Sequence, residues 1–138
     1  MTKIQFLKTM LLTALFLLPA FSGAVAEEEG SALMTINRFL TCQAVEDREP
    51  VGASETFPAD TEKVYAYLEA TGISADVAIS FVWYHGNDEV ARVPLSIKQG
   101  SRWRTYSSKK LAGRTGAWRI EIQDSAAAVL ASVDFTVE

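Results

Sequence analysis

The 138-residue chain is poor in the residues from which most catalytic and metal centres are built. It carries one cysteine, Cys42, and one histidine, His85. A single cysteine excludes a disulfide framework within the chain, and a single histidine excludes a paired-histidine zinc site. There is no Gly-rich phosphate loop and no nucleophile-elbow motif. Asn87, Asp88 and Glu89 lack the spaced oxygen ligands of a calcium loop. A Ser–His–Asp arrangement would need His85 with Ser107 or Ser108 and an aspartate such as Asp88. His85, however, precedes a Gly86-Asn87-Asp88 turn, where polar residues are expected without chemistry. The expectation is a protein that is not an enzyme and that uses no cofactor and no metal. Long apolar runs are also missing. The stretch from Met10 to Leu18 falls short of the roughly 20 residues that span a bilayer.

That stretch has another use. Lys3 and Lys8 precede it, and Pro19 and the small residues Ser22-Gly23-Ala24-Val25-Ala26 follow it. A basic start, a short apolar core and an A-x-A site make a secretory signal peptide over 1–26, cleaved after Ala26. Residues 27–34, beginning Glu27-Glu28-Glu29-Gly30, read as a flexible acidic leader, and 35–138 as one domain. The expected location is exported, periplasmic or extracellular, with no transmembrane span after cleavage. An unpaired cysteine in an exported chain is either a buried thiol or a link between chains. Cys42 lies within a strand-like run, which favours burial as a small apolar residue.

Convincing helical periodicity is absent from residue 35 onward, and alternation with period two is abundant. Strands are expected over 35–46, 62–70, 76–85, 89–97, the stretch after Ser101, 117–123 and the C-terminal run through Val137. Residues 47–61 read as a long loop. Trp118, Ile120 and Ile122 alternate with Arg119, Glu121 and Gln123, and Val129, Ala131, Val133, Phe135 and Val137 share a face. Such alternation between Gly, Asn, Asp and Ser turns marks antiparallel sheet with one face in a core. About seven short strands predict an all-β, immunoglobulin-like antiparallel β-sandwich. Pro94 cannot donate to a ladder, so its strand belongs at an edge.

The stretch GSRWRTYSSKK (100–110) is the most suggestive. Alternation places Trp103, Thr105 and Ser107 on one face and Arg102, Arg104, Tyr106 and Ser108 on the other. Trp103, like Trp83 and Trp118, reads as a core aromatic. The outward arginines either pair with neighbouring carboxylates or form a basic-aromatic surface. Charge segregation keeps the second reading open. Thirteen acidic and three basic residues lie in 27–89, whereas eight basic and no acidic residues lie between Val90 and Ile120. If the strands near 89–119 share one sheet, its outer surface is basic within an acidic protein and attracts anionic ligands.

Together FVWYHGNDEVARVPLSI, RWRTYSSKKL, GAWRIEI and VLASVDFTVE resemble a bacterial family known as domain of unknown function 2914, with exported or membrane-tethered members. The resemblance runs from about residue 38 to the end, and R-W-R-T-x-S is its most specific part. It singles out Trp83, Trp103, Arg104, Ser107, Gly116, Trp118 and Phe135 as a structural motif. The family pattern often has a histidine where this chain has Phe81, and Asp-x-x-Gly where it has Asp124-Ser125-Ala126-Ala127. The family brings no activity with it.

The functional expectation is a non-catalytic binding or accessory module of the bacterial cell envelope. Its candidate ligand-binding residues are Arg102, Arg104, Tyr106 and Arg119, facing an anionic ligand or surface. The alternative is an interaction subunit that docks on another protein by a strand edge or loops, with the arginines purely structural. Expected partners are an envelope protein, a glycan or an anionic lipid. Nucleic acid is not expected, given the export signal and the net charge of −4.

Overall fold

A computed structural model describes residues 32–138. The expected signal peptide over 1–26 and the start of the acidic leader lie outside the described residues. Nine strands follow in order: β1 (Thr35–Glu46), β2 (Glu49–Ala53), β3 (Thr56–Phe57), β4 (Lys63–Ile73), β5 (Val77–His85), β6 (Asp88–Ile97), β7 (Gly100–Lys110), β8 (Gly116–Asp124) and β9 (Val129–Val137). They form two sheets, ordered β2-β1-β4-β7 and β3-β9-β8-β5-β6. All pairings are antiparallel except the short parallel pair β3–β9. Among the described residues, no helix is long and apolar enough to cross a membrane.

The alternating residues close the sandwich. Val64, Ala66, Leu68 and Ala70 of β4 face Phe81 and Trp83 of β5, Trp118, Ile120 and Ile122 of β8, and Phe135 of β9, all buried in one core. Trp118 stacks on Phe135 at 5.6 Å between centroids, and Trp83 and Phe57 meet the same ring edge-on. Both fully enclosed indoles find acceptors, as buried N–H groups must. Trp118 Nε1 donates to the Arg114 carbonyl at 3.1 Å, and Trp83 Nε1 donates to Ser107 Oγ at 3.2 Å. The second bond crosses from one sheet to the other. It accounts for the serine of the R-W-R-T-x-S run as an inter-sheet strut.

Several expectations change. The count is nine strands, because 47–61 is not one loop. β2 pairs with β1 and β3 with β9 through main-chain groups, which a short run without alternation does not announce. Leu33 and Met34, the described end of the expected leader, pack on the core, and Leu33 accepts the Ser74 N–H at 2.9 Å. Trp103 is only half-buried, because β7 ends its sheet and leaves one flank of the indole without a neighbour. β6, which carries Pro94, is an edge strand as its proline requires. Cys42 is fully buried, which places it out of reach of a second chain in the folded state, and burial pushes its thiol pKa up. Phe81 is a core residue. Ala127 holds a φ of 64° where the resembled pattern carries glycine, and its turn is closed by Asp124 accepting from the Ala126 and Ala128 amides.

Candidate functional site

The register of β7 on β4 sets the outer face of the first sheet. Thr71 opposes Arg102, Glu69 opposes Arg104, Tyr67 opposes Tyr106 and Lys63 opposes Lys110. Arg102, Arg104 and Tyr106 therefore share that face, as alternation predicts. Tyr106 is 50% exposed and lies 5.7 Å from the ring of Tyr65.

A second element lies over this face. Beyond Cys42, β1 leaves β4 and continues with β2 as a hairpin arm. Gly52 lies against Gln43 with a φ of 66°, and a Cβ there would meet that side chain at 2.8 Å. Glycine suits this positive φ, and a larger residue would be strained there and would also have to push the Gln43 side chain aside. The arm turns through Asp47 (φ 50°) and Arg48 (φ 62°). Two successive positive φ values define the type I′ hairpin turn, which ordinarily takes Asn-Gly or Asp-Gly. A non-glycine residue held in this region costs about 1–3 kcal/mol and persists where surrounding contacts enforce it. The enforcing contact is Tyr67, a fully buried side chain whose hydroxyl donates to the Arg48 carbonyl at 2.8 Å. Burial beneath the arm pushes the Tyr67 phenol pKa up.

Charges pin the tip further. Arg38 donates to Glu49 at 3.0 and 3.2 Å, to Glu69 Oε2 at 2.9 Å and to Tyr67 Oη at 3.2 Å. Arg104 Nη1 reaches Glu49 Oε1 at 2.7 Å. Glu49 is thus shared by two guanidinium groups, Arg38 above all, and they hold its carboxyl below the usual carboxylate range. A depressed folded-state pKa stabilises the protein above the unfolded-state value and ceases to do so as pH falls through the folded value. We expect Glu49→Gln to be less stable than wild type at neutral pH. The difference should shrink towards zero in acid, as followed by urea unfolding at several pH values. A gap that does not narrow in acid would refute the shared-carboxylate account.

Between arm and β7 lie two adjoining clefts. One, of about 390 Å³, is lined by Val45, Asp47, Arg48, Tyr67, Arg104 and Tyr106. The other, of about 500 Å³, is lined by Arg48, Arg102, Trp103 and Arg104. Among the described residues, Arg48 and Arg102 have no carboxylate within 4.0 Å. The clefts bring two uncommitted cations to one exposed aromatic ring, with Arg104 half-committed between them.

Arg119 does not belong to this group. It lies on β8 in the other sheet, its guanidinium 4.5 Å above the Tyr84 ring and its Nε 3.2 Å from Glu121 Oε2. That Nε lacks hydrogen-bond alignment, so the contact is a charge pair alone. The condition for a single basic surface over 89–119 fails too. β6 and β8 belong to one sheet and β7 to the other. Arg92 pairs with Glu89 and Lys98 with Asp76, so part of this charge is neutralised locally. Sequence reasoning missed Arg38, Arg48 and Glu49. The only local signal was the Glu46-Asp47-Arg48-Glu49 run, which reads as a solvated turn.

The remaining polar motifs have structural partners. His85 Nε2 is 2.7 Å from the Thr115 carbonyl and its ring packs on Trp118, while Ser107 accepts from Trp83. Among the described residues, no group of three His, Cys, Asp or Glu side chains is arranged to hold a metal ion.

Comparison with known proteins places the fold. An immunoglobulin-like protein from Pseudomonas aeruginosa superposes with a TM-score of 0.52 at 13% identity, covering 76% of this chain and 96% of that one. The chain is an immunoglobulin-like β-sandwich, and at that identity the likeness speaks for fold alone. β-Glucosidases from Listeria innocua (TM-score 0.48, 8% identity) and Kluyveromyces marxianus (0.44, 11%) are matched over 75% and 76% of this chain. The chain spans only 15% and 14% of their lengths. No curated protein matches in sequence. The sequence profile of one family matches residues 76–137, described as protein of unknown function (DUF2914). The match takes in β5 to β9 and leaves β1 to β4, with the hairpin arm, outside it, a shorter span than the resemblance beginning near residue 38. Over residues 76–137 the chain is similar to the DUF2914 family.

Proposed function

We propose that the protein is a non-catalytic binding module, exported to the bacterial cell envelope, that takes an anionic ligand at the outer face of β7. The immunoglobulin-like fold and the family fit a non-catalytic module. One observation carries the ligand reading. Arg48, at a backbone position better suited to glycine, reaches the same cleft as Arg102 and Arg104, and Tyr106 opens beside it. Export rests on the N-terminal signal pattern.

The site is Arg48, Arg102, Arg104 and Tyr106, with Arg119 left out. Arg102→Glu is the clean variant, because Arg102 is exposed and has no carboxylate to release. Arg104→Glu is not, because it would set a third carboxylate against Glu49 and Glu69. We expect cosedimentation with envelope fractions at low salt, abolished by high salt and by Arg102→Glu. Arg48→Gly should weaken it while raising stability by about 1 kcal/mol, the usual gain when glycine takes a positive-φ position. Salt-insensitive binding that both variants leave unchanged would refute the reading.

A second reading has its own observation. β7 is an outermost strand 11 residues long, and its free main-chain edge is a template for another strand. Docking there would be indifferent to salt and to Arg102→Glu.

A further inference from the structure

The β4–β7 face has a second cationic pole. Lys63 and Lys110 are direct cross-strand partners, and neither has a carboxylate within 4.0 Å among the described residues. Like charges directly opposite each other destabilise a sheet, so nothing in the fold itself calls for this pair. Lys63 Nζ lies 5.7 Å above the Tyr65 ring, and Tyr65 in turn meets Tyr106. Along β7 the order is therefore Lys110, the Tyr65–Tyr106 pair, then Arg104 and Arg102 with Arg48 above them. At about 3.4 Å per residue, Lys110 and Arg102 are separated by roughly 27 Å.

A compact anion occupies only one pole of such a strip. A dense polyanion fits poorly as well, because Asp47 lines the cleft beside Tyr106, and Glu49 and Glu69 stand behind it. A flat lipid surface would meet the overhanging arm first, and Tyr106 is the only large exposed hydrophobic residue on this face of β4 and β7. Rings with widely spaced charges match the strip. We infer that the ligand is an acidic polysaccharide lying along β7, its sugar rings on Tyr65 and Tyr106 and its spaced anionic groups at Lys63–Lys110 and at Arg48–Arg102. This rests on the anionic-ligand reading above and adds the aromatic floor and the second pole to it. Lys63 and Lys110 position the chain; no bond is made or broken.

The test measures binding of the purified protein to four probes at low salt. They are hyaluronan, whose charge falls on alternate rings, uncharged dextran, inorganic polyphosphate and phosphatidylglycerol vesicles. The variants are Tyr106→Ala, Tyr106→Phe and Lys110→Ser, all at exposed positions. Hyaluronan should bind most tightly. Tyr106→Ala should weaken it about tenfold, in line with the loss of one ring-stacking contact, and Tyr106→Phe should leave it within about twofold. Lys110→Ser should flatten its salt dependence. Hyaluronan binding that ignores Tyr106, or tighter binding to polyphosphate or vesicles, would overturn the polysaccharide and leave an anion site standing. Dextran binding as tightly as hyaluronan, or no binding to any charged probe, would overturn both readings.

Discussion

Trp83→Ala should remove about 3–5 kcal/mol of stability, the usual cost of truncating a buried aromatic. Against a total of roughly 5–15 kcal/mol for a domain of this kind, that brings the protein close to unfolding at room temperature. The indole is fully buried between the sheets, and its ring meets Phe135. Its Nε1 also supplies the cross-sheet bond to Ser107, itself a buried residue. Ser107→Ala leaves that N–H without an acceptor, at about 1–3 kcal/mol. Trp83→Phe removes the donor and leaves Ser107 instead. Urea unfolding of the two single variants and their double should therefore be non-additive, the double costing less than the sum. Additive losses would mean that tryptophan and serine act independently, and the strut would be reduced to packing.

The fold is more legible in the sequence than the site is. Val64 to Ala70 in β4 and Trp118 to Ile122 in β8 announce themselves because a buried sheet face forces alternation on the chain. The turn at Gly86 and the edge position of Pro94 follow from local backbone chemistry alone. Arg102, Arg104 and Tyr106 share a face for the same reason, since parity within one strand is a local property. Arg119 shows where parity stops. Its partner face depends on which sheet receives β8, and that is decided by pairing between strands distant in sequence. Arg38 and Glu49 fail in the same way. Each is one charge among many until the arm lies over the sheet face and brings them within 3.0 Å of each other. β2 and β3 were illegible because their main-chain pairing leaves no apolar period behind.

The arm ties these threads together, and its anchor is Tyr67. Tyr67→Ala should cost about 3–5 kcal/mol, since a fully buried ring is lost from beneath the hairpin. That loss alone would not separate packing from positioning. Tyr67→Phe does, because it keeps the ring and removes only the hydroxyl that donates to Arg48 and accepts from Arg38. Leaving those groups unpaired should cost about 1–2 kcal/mol, felt mainly as opening of the arm. Trypsin cuts after Arg48 only when the strained turn leaves the sheet. When reclosing outpaces cleavage, the cutting rate follows the open population. A loss of about 1.4 kcal/mol should therefore raise the rate of nicking at Arg48 about tenfold. Global stability should fall by no more than the same amount. The cleft between Arg48 and Arg102 would lose its shape with no cation removed, and anionic binding should weaken in step with the nicking rate. Unchanged nicking in Tyr67→Phe would mean that the charges of Arg38, Glu49 and Arg104 hold the arm by themselves. The clasp would then be electrostatic, and high salt should open it.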